Sequence, residues 1–174
     1  FFLDGIEGAT GAALGVSLDH TGYPIATALR DCYRAQVKQG RQGSIPLFAG
    51  GGIGRTGELA GDAVKMFLLG SSGVFIGKML LQAAGCVGTE DSRCNACNTG
   101  SCPVGICTQN PRLVRRLDVD HVAERIVNLV LATDQEMRKI LAQIGNSSLP
   151  IGRSDAITTV DASLAKRLKI EHAV

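Results

Sequence analysis

Three short apolar runs, each closed by glycine, constrain this chain more than any other feature: Phe1–Leu3 before Asp4-Gly5, Ser44–Ala49 (SIPLFA) before Gly50-Gly51-Gly52, and Gly73–Gly77 (GVFIG). Apolar runs of this length, with no alternation of polar side chains, predict strands covered on both faces, as in parallel sheets. The segments between them have helical spacing. From Tyr23 to Gln39 the residues Ile25, Ala28, Leu29, Cys32 and Val37 recur at roughly helical intervals, with Gly40 as a stop. Leu59–Leu69 puts Leu59, Ala63, Met66 and Phe67 on one side and closes at Gly70. Strand, helix, strand, helix, strand with short connections predicts an α/β fold built on a parallel sheet. Cys32 falls on an apolar stripe and reads as a core thiol.

Glycine at the end of a buried strand lets the backbone approach a ligand, because no side chain stands in the way. The run Gly50-Gly51-Gly52-Ile53-Gly54, followed by a helix beginning near Thr56 or Glu58, reads as a phosphate cradle of backbone N–H groups and a helix amino terminus. The bland alternative is a loop without a ligand. Neither the P-loop spacing nor the dinucleotide fingerprint is matched. Two successive glycine-terminated strands resemble the phosphate site after the last strands of a (β/α)8 barrel.

The stretch Gly85–Gln109 holds five of the six cysteines: Cys86, Cys94, Cys97, Cys102 and Cys107. No secretory leader is evident, so thiolates this dense read as a metal site rather than a disulfide framework. Zinc and an iron–sulfur cluster compete for that role. Structural zinc favours two separated cysteine pairs, whereas short, even intervals in one Gly- and Pro-containing loop suit a compact cluster better. Simple packing of reduced thiols does not suit so polar a loop.

Beyond it, Asp120–Ile144 is the clearest helix, with Val122, Ile126, Leu129, Val130, Met137, Ile140, Leu141 and Ile144 at three- and four-residue steps, Asp118 or Asp120 as a cap and Gly145 at the end. His121 reads as a surface residue. The tail from Asn146 to Val174 reads as a tether. A formal net charge of +2, with acidic and basic residues interspersed, gives no argument for nucleic acid or an anionic membrane. The apolar runs are too short to span a bilayer, and a cytoplasmic protein is the expectation. The start on Phe1-Phe2, inside a strand, leads us to expect a piece of a larger or split protein.

These motifs resemble, in order, the FMN-binding domain of glutamate synthases. The resemblance runs through Asp4–Ala12 (DGIEGATGA), Gly51-Gly52-Ile53 with Arg55-Thr56-Gly57, Ile76-Gly77-Lys78 and Ala84-Gly85-Cys86. It continues through Cys97–Gln109 (CNTGSCPVGICTQ), the most specific part, and on to Ile151–Asp155. It implies the carboxy-terminal part of a (β/α)8 TIM-type barrel, with the last three parallel strands, an iron–sulfur loop and a terminal helix. The divisions implied are 1–84 (partial barrel), 85–109 (cluster loop), 110–145 (terminal helix region) and 146–174 (tail).

The activity implied is reductive amination of 2-oxoglutarate with ammonia to glutamate. Ammonia would come from a glutaminase domain or subunit, and electrons from an NAD(P)H reductase subunit or ferredoxin, through the cluster to FMN. By this resemblance Cys86, Cys97 and Cys102 are the ligands of a [3Fe-4S] cluster. A longer spacer between Cys86 and Cys97 contains Cys94, which would make [4Fe-4S] if it also ligates or would take the place of Cys86 as a ligand, and Cys107 falls where the family often has a cysteine or alanine that does not ligate. The amides of Gly51, Gly52, Gly77 and Lys78 are the candidates for the flavin phosphate, with Thr10 and Gly11 lining the flavin or substrate face. The catalytic residues would belong to a part of the barrel outside this sequence. A related enzyme acting on another amine, of the N-methylglutamate synthase type, and a non-enzymatic cysteine–metal module are the alternatives.

Overall fold

A three-stranded parallel sheet in the order β1–β2–β3 forms the centre of the molecule in a computed structural model that describes residues 1–9, 16, 20–88, 94 and 96–145. Strand β1 is Phe2–Asp4, β2 is Phe48–Gly50 and β3 is Gly73–Val74. In register, Leu3 faces Ala49 and Ala49 faces Val74. Helix α1 (Ile25–Lys38) connects β1 to β2, and α2 (Leu59–Leu68) connects β2 to β3. Then come α3 (Lys78–Ala83), a 3-10 turn at Ala96–Thr99, α4 (Pro111–Val114) and the long α5 (Val119–Gln143). The α/β class and the parallel order agree with the sequence expectation. The expected roles of Thr10, Gly11 and the tail from Asn146 lie outside the described residues.

Side chains alternate across a strand, so each face of this sheet has its own set. Leu3, Ala49 and Val74 join one cluster with Ile25 and Leu29 of α1 and Leu59 and Met66 of α2, so both helices cover the same face. Leu29 is fully buried, and burial of such a side chain contributes about 1.5–3 kcal/mol. The opposite face carries Phe2, Phe48 and Phe75. The Phe75 ring meets Phe2 edge-on at 4.5 Å between centroids and Phe48 at 6.1 Å. Phe2 and Phe75 remain more than half exposed.

The strands are shorter than the apolar runs predict. Pro46 has no N–H to give a ladder, and the Ile45 carbonyl accepts from the amide nitrogen of Gln36 instead (2.9 Å), so β2 starts only at Phe48. The buried Ser71 hydroxyl donates to the Leu47 carbonyl at 3.1 Å and to the Gly73 carbonyl at 2.5 Å, tying the lead-in of β2 to that of β3. In α1, Val37 is exposed although it was expected on the apolar stripe, and Gln36 is buried in its stead. The inward face runs Ile25, Leu29, Cys32, Gln36, and Val37 stands one residue, about 100°, off it. Cys32 packs against the core as expected.

Helix α5 lies across α2 and α3 and buries Leu141, while Val130 and Ile144 at the edges of its stripe are exposed. Asp118 caps it by accepting from the His121 backbone N–H at 3.1 Å. The His121 residue itself is exposed, in line with the surface reading. Among the described residues no helix is long and apolar enough to cross a membrane.

Candidate functional site

The carboxyl ends of the three strands open into a cleft of about 260 Å³. Its walls include Gly51 and Gly52 after β2 and Gly77 and Lys78 after β3, so the four expected phosphate-binding positions are brought together. Asp4, Glu7 and Arg55 also line it, and the sequence reading gave none of the three a role there. A larger hollow of about 560 Å³ lies on the outer surface between α1 and the end of α2, and it contains none of the expected residues.

Two features make the cleft suitable for an anion. The backbone N–H groups of Gly51, Gly52, Gly77 and Lys78 donate no hydrogen bond to any described residue. A Cβ on Gly77 would meet nothing within 4 Å, so this position borders open space. Gly51 differs. It has φ +110°, and a Cβ there would stand 2.9 Å from the Gly5 nitrogen, so its glycine is required by close backbone packing as well as conformation. Helix α2 begins at Leu59, beyond the cleft-lining residues. The Gly51–Gly52 side of the cradle is therefore made of loop amides, without the helix start near Thr56 or Glu58 that the sequence suggested, whereas Gly77 and Lys78 stand at the start of α3.

The acidic side wall has a structural task. Glu7 accepts from the Ile25 backbone N–H at 3.2 Å and so satisfies a free donor at the start of α1. Asp62 Oδ2 accepts from the Gly54 N–H at 3.1 Å and fixes the far side of the glycine loop to α2.

The described part of the cysteine loop packs on the turn before α5, where Gly105 faces Leu113 and Leu117. Cys102 is buried, Cys86 and Cys94 are half-buried, and Cys97 and Cys107 are exposed. The backbone N–H groups of Cys107, Val104, Ile106 and Gly105 point at the Cys102 sulfur, Cys107 foremost, and they hold its thiol below the usual range against the opposing effect of burial. That makes Cys102 the thiol most ready to serve as a thiolate ligand. Cys97 is pushed up, first by desolvation and then by the neighbouring sulfurs of Cys107, Cys102 and Cys86. Mutual repulsion of this kind is relieved when a cation lies between the sulfurs. Cys94 lies against Gly88, where a Cβ would be 2.8 Å from the Cys94 Cβ.

Among the described residues no three Cys, His, Asp or Glu side chains are grouped to hold a single metal ion. A multi-iron cluster carries its thiolates on different irons and so needs a wider cage than one ion. A set of mutually felt sulfurs with one amide-cradled thiol fits that requirement in donor chemistry.

The loop is held by features that sequence reasoning passed over. Asn110 caps α4 through the Arg112 N–H at 3.0 Å with Pro111 in the first turn, a signal present in the Asn-Pro dipeptide. Gly105 has φ +84°, and a Cβ there would come 2.5 Å from the Leu113 carbonyl oxygen. Arg116 Nη1 donates to the Pro103 carbonyl at 3.0 Å, and the Thr108 hydroxyl donates to the Gly100 carbonyl.

Comparison with known proteins gives a consistent result. Residues 1–147 match the family model described as a conserved region in glutamate synthase. The archaeal glutamate synthase [NADPH] of Methanocaldococcus jannaschii is 37% identical over 147 residues, which are 84% of this chain and 27% of that protein. The archaeal-type glutamate synthase [NADPH] of Dehalococcoides mccartyi is 33% identical over 169 residues, 97% of this chain and 32% of that protein. The ferredoxin-dependent glutamate synthase of Cyanidium caldarium is 32% identical over 175 residues, 99% of this chain and 11% of that protein. The chain thus spans about a third or less of the length of these relatives.

Proposed function

This chain belongs to the glutamate synthase family, and on that premise we propose that it supplies the flavin-phosphate cradle and the iron–sulfur loop of an enzyme that reductively aminates 2-oxoglutarate with ammonia to glutamate. In this reading residues 1–84 belong to a (β/α)8 barrel, 85–109 to the cluster loop, 110–145 to the terminal helix region and 146–174 to a tail. The observation that carries it is that four residues following two glycine-terminated parallel strands line one cleft, with backbone N–H groups that donate to no described residue.

Gly51, Gly52, Gly77 and Lys78 would hold the FMN phosphate through those amides, and Lys78 would add charge. Thr10 and Gly11 would line the flavin or substrate face. Cys86, Cys97 and Cys102 would hold a [3Fe-4S] cluster, with Cys107 giving its N–H to Cys102 rather than its sulfur to iron. When bound, the flavin supplies hydride to the imine of 2-oxoglutarate and ammonia, and the cluster supplies single electrons drawn from ferredoxin or an NAD(P)H reductase subunit. Within the chain, Glu7 ties the cleft wall to the start of α1 and Asp62 fixes the glycine loop to α2, and the amides of residues 104–107 favour Cys102 as a thiolate.

The barrel reading has support in the sheet itself. Its strands run in consecutive order with both helices on one face, and the other face is aromatic rather than polar, as the interior of a closed barrel would be. Visible absorption and low-temperature electron paramagnetic resonance of the anaerobically purified protein test the proposal. Flavin bands together with the signal of an oxidised three-iron cluster are expected. Stoichiometric zinc without iron or flavin overturns it.

A further inference from the structure

We propose that Cys97 and Cys107 form a reversible disulfide site, in which Cys107 takes up the Cys97 thiol whenever metal leaves the loop and gives it back on reduction. The pairing rests on the placement of the two thiols alone. Its purpose, the preservation of a metal ligand, rests on the reading of the loop as a cluster site.

The two side chains are hydrogen-bonded to each other, whereas Cys97 meets the sulfurs of Cys102 and Cys86 only through charge. Both are exposed, so a small oxidant reaches them from solvent. Cys102 is buried with four backbone N–H groups on its sulfur, and Cys94 lies against Gly88. Cys107 is therefore the cysteine placed to pair with Cys97.

The backbone holds the two arms of the loop together at this point. The Ser101 N–H donates to the Ala96 carbonyl at 3.0 Å and closes the turn that carries Cys97. The Thr108 hydroxyl, next to Cys107, donates to the Gly100 carbonyl of that turn and accepts from the Asn110 N–H at 3.1 Å. Sulfurs held in contact on a tied backbone reach the S–S distance of about 2.05 Å through side-chain movement.

The oxidant is a peroxide. Hydrogen peroxide turns one thiol into a sulfenic acid as its O–O bond breaks and water leaves. The sulfur of the other thiol then displaces the hydroxyl, which forms the S–S bond and releases a second water. The thiol pair gives up two electrons and two protons, and the peroxide takes both. A dithiol restores the pair by exchange. A Cys97 sulfenic acid without a partner goes on to sulfinic and sulfonic acids, which thiols do not reverse. A cysteine oxidised that far has lost the thiolate that binds metal.

The test uses the full-length enzyme, treated with hydrogen peroxide and an iron chelator, alkylated, and digested without reduction by trypsin and thermolysin. Cleavage before Val104 or Ile106 puts Cys97 and Cys107 on separate peptides, so peptides joined through them report the bond by mass spectrometry. The joined pair should dominate, and dithiothreitol should separate it. In Cys107→Ser under the same treatment, Cys97 should appear as sulfinic or sulfonic acid. After dithiothreitol, ferrous iron and sulfide, the unaltered enzyme should regain most of its iron and the variant several-fold less. Cys97 joined chiefly to another cysteine, or unlinked and overoxidised in the unaltered enzyme, overturns the proposal whether or not the variant folds. Equal recovery of iron in the two overturns the protective role. An enzyme that holds no iron before treatment overturns the cluster reading instead, and the joined peptides still decide the pairing.

Discussion

The backbone of Gly51 presses on that of Gly5, so closely that a Cβ on Gly51 would stand 2.9 Å from the Gly5 nitrogen, while Gly77 across the cleft borders open space. The two glycines therefore answer to different constraints. Gly51→Ala combines a positive φ with a backbone clash and should destabilise the protein by about 1–3 kcal/mol, seen as a lower thermal midpoint. Gly77→Val should fold normally and lose flavin, because no described residue stands within 4 Å of the added Cβ and the ligand would. Flavin retained by Gly77→Val at the unaltered level would remove Gly77 from the phosphate site.

Glu7 joins the cleft to the first helix through the Ile25 N–H. Glu7→Ala should cost about 0.5–2 kcal/mol, the usual effect of losing a helix-start acceptor, and Glu7→Gln should recover most of it. Denaturant midpoints of the two variants give the measurement. Equal loss in both would mean that the carboxylate charge, rather than the hydrogen bond, supports the helix.

Cys102 is the buried thiol surrounded by four backbone N–H groups, and Cys107 contributes the foremost of them. Cys86→Ser, Cys97→Ser and Cys102→Ser should each lose most of the iron. Cys107→Ser keeps the backbone N–H and should keep iron at close to the unaltered content. Metal analysis of protein purified without air distinguishes them, and loss of iron in Cys107→Ser would make that sulfur a ligand.

The aromatic face of the sheet offers a test of the barrel. Phe75 touches only Phe2 and Phe48 among the described aromatic rings and is largely exposed. An exposed ring pair is worth about 0.5–1.5 kcal/mol, whereas removing a ring from a closed barrel interior costs about 3–5 kcal/mol. Phe75→Ala in the full-length protein should show the larger figure. The smaller one would argue against a closed barrel.

Much of this architecture was legible from spacing alone. The ends of α1, α2 and α5 lie within two residues of the periodic segments, because apolar positions and closing glycines act locally. What escaped depends on partners distant in the chain. Strand β2 lost its first residues to the Gln36 amide and to Pro46. Asp4 enters the cleft because it pairs in register with Gly50, a relation no local pattern contains. Arg55 lines the same cleft by the path of the glycine loop. The short α4 was announced by Asn110-Pro111, but its importance comes from the contact with Gly105 across the loop.

That contact also limits how such chains can recombine. The Gly105 Cα faces the Leu113 carbonyl with no room for a methyl group, and Arg116 grips Pro103 from the same turn. A chimera that exchanges the segment 86–107 with a relative, while keeping its own 110–117, would splice together two surfaces that were shaped separately. Viable crossover points should fall before Cys86 and after Leu117, so that the loop and the turn beneath it are inherited as one block.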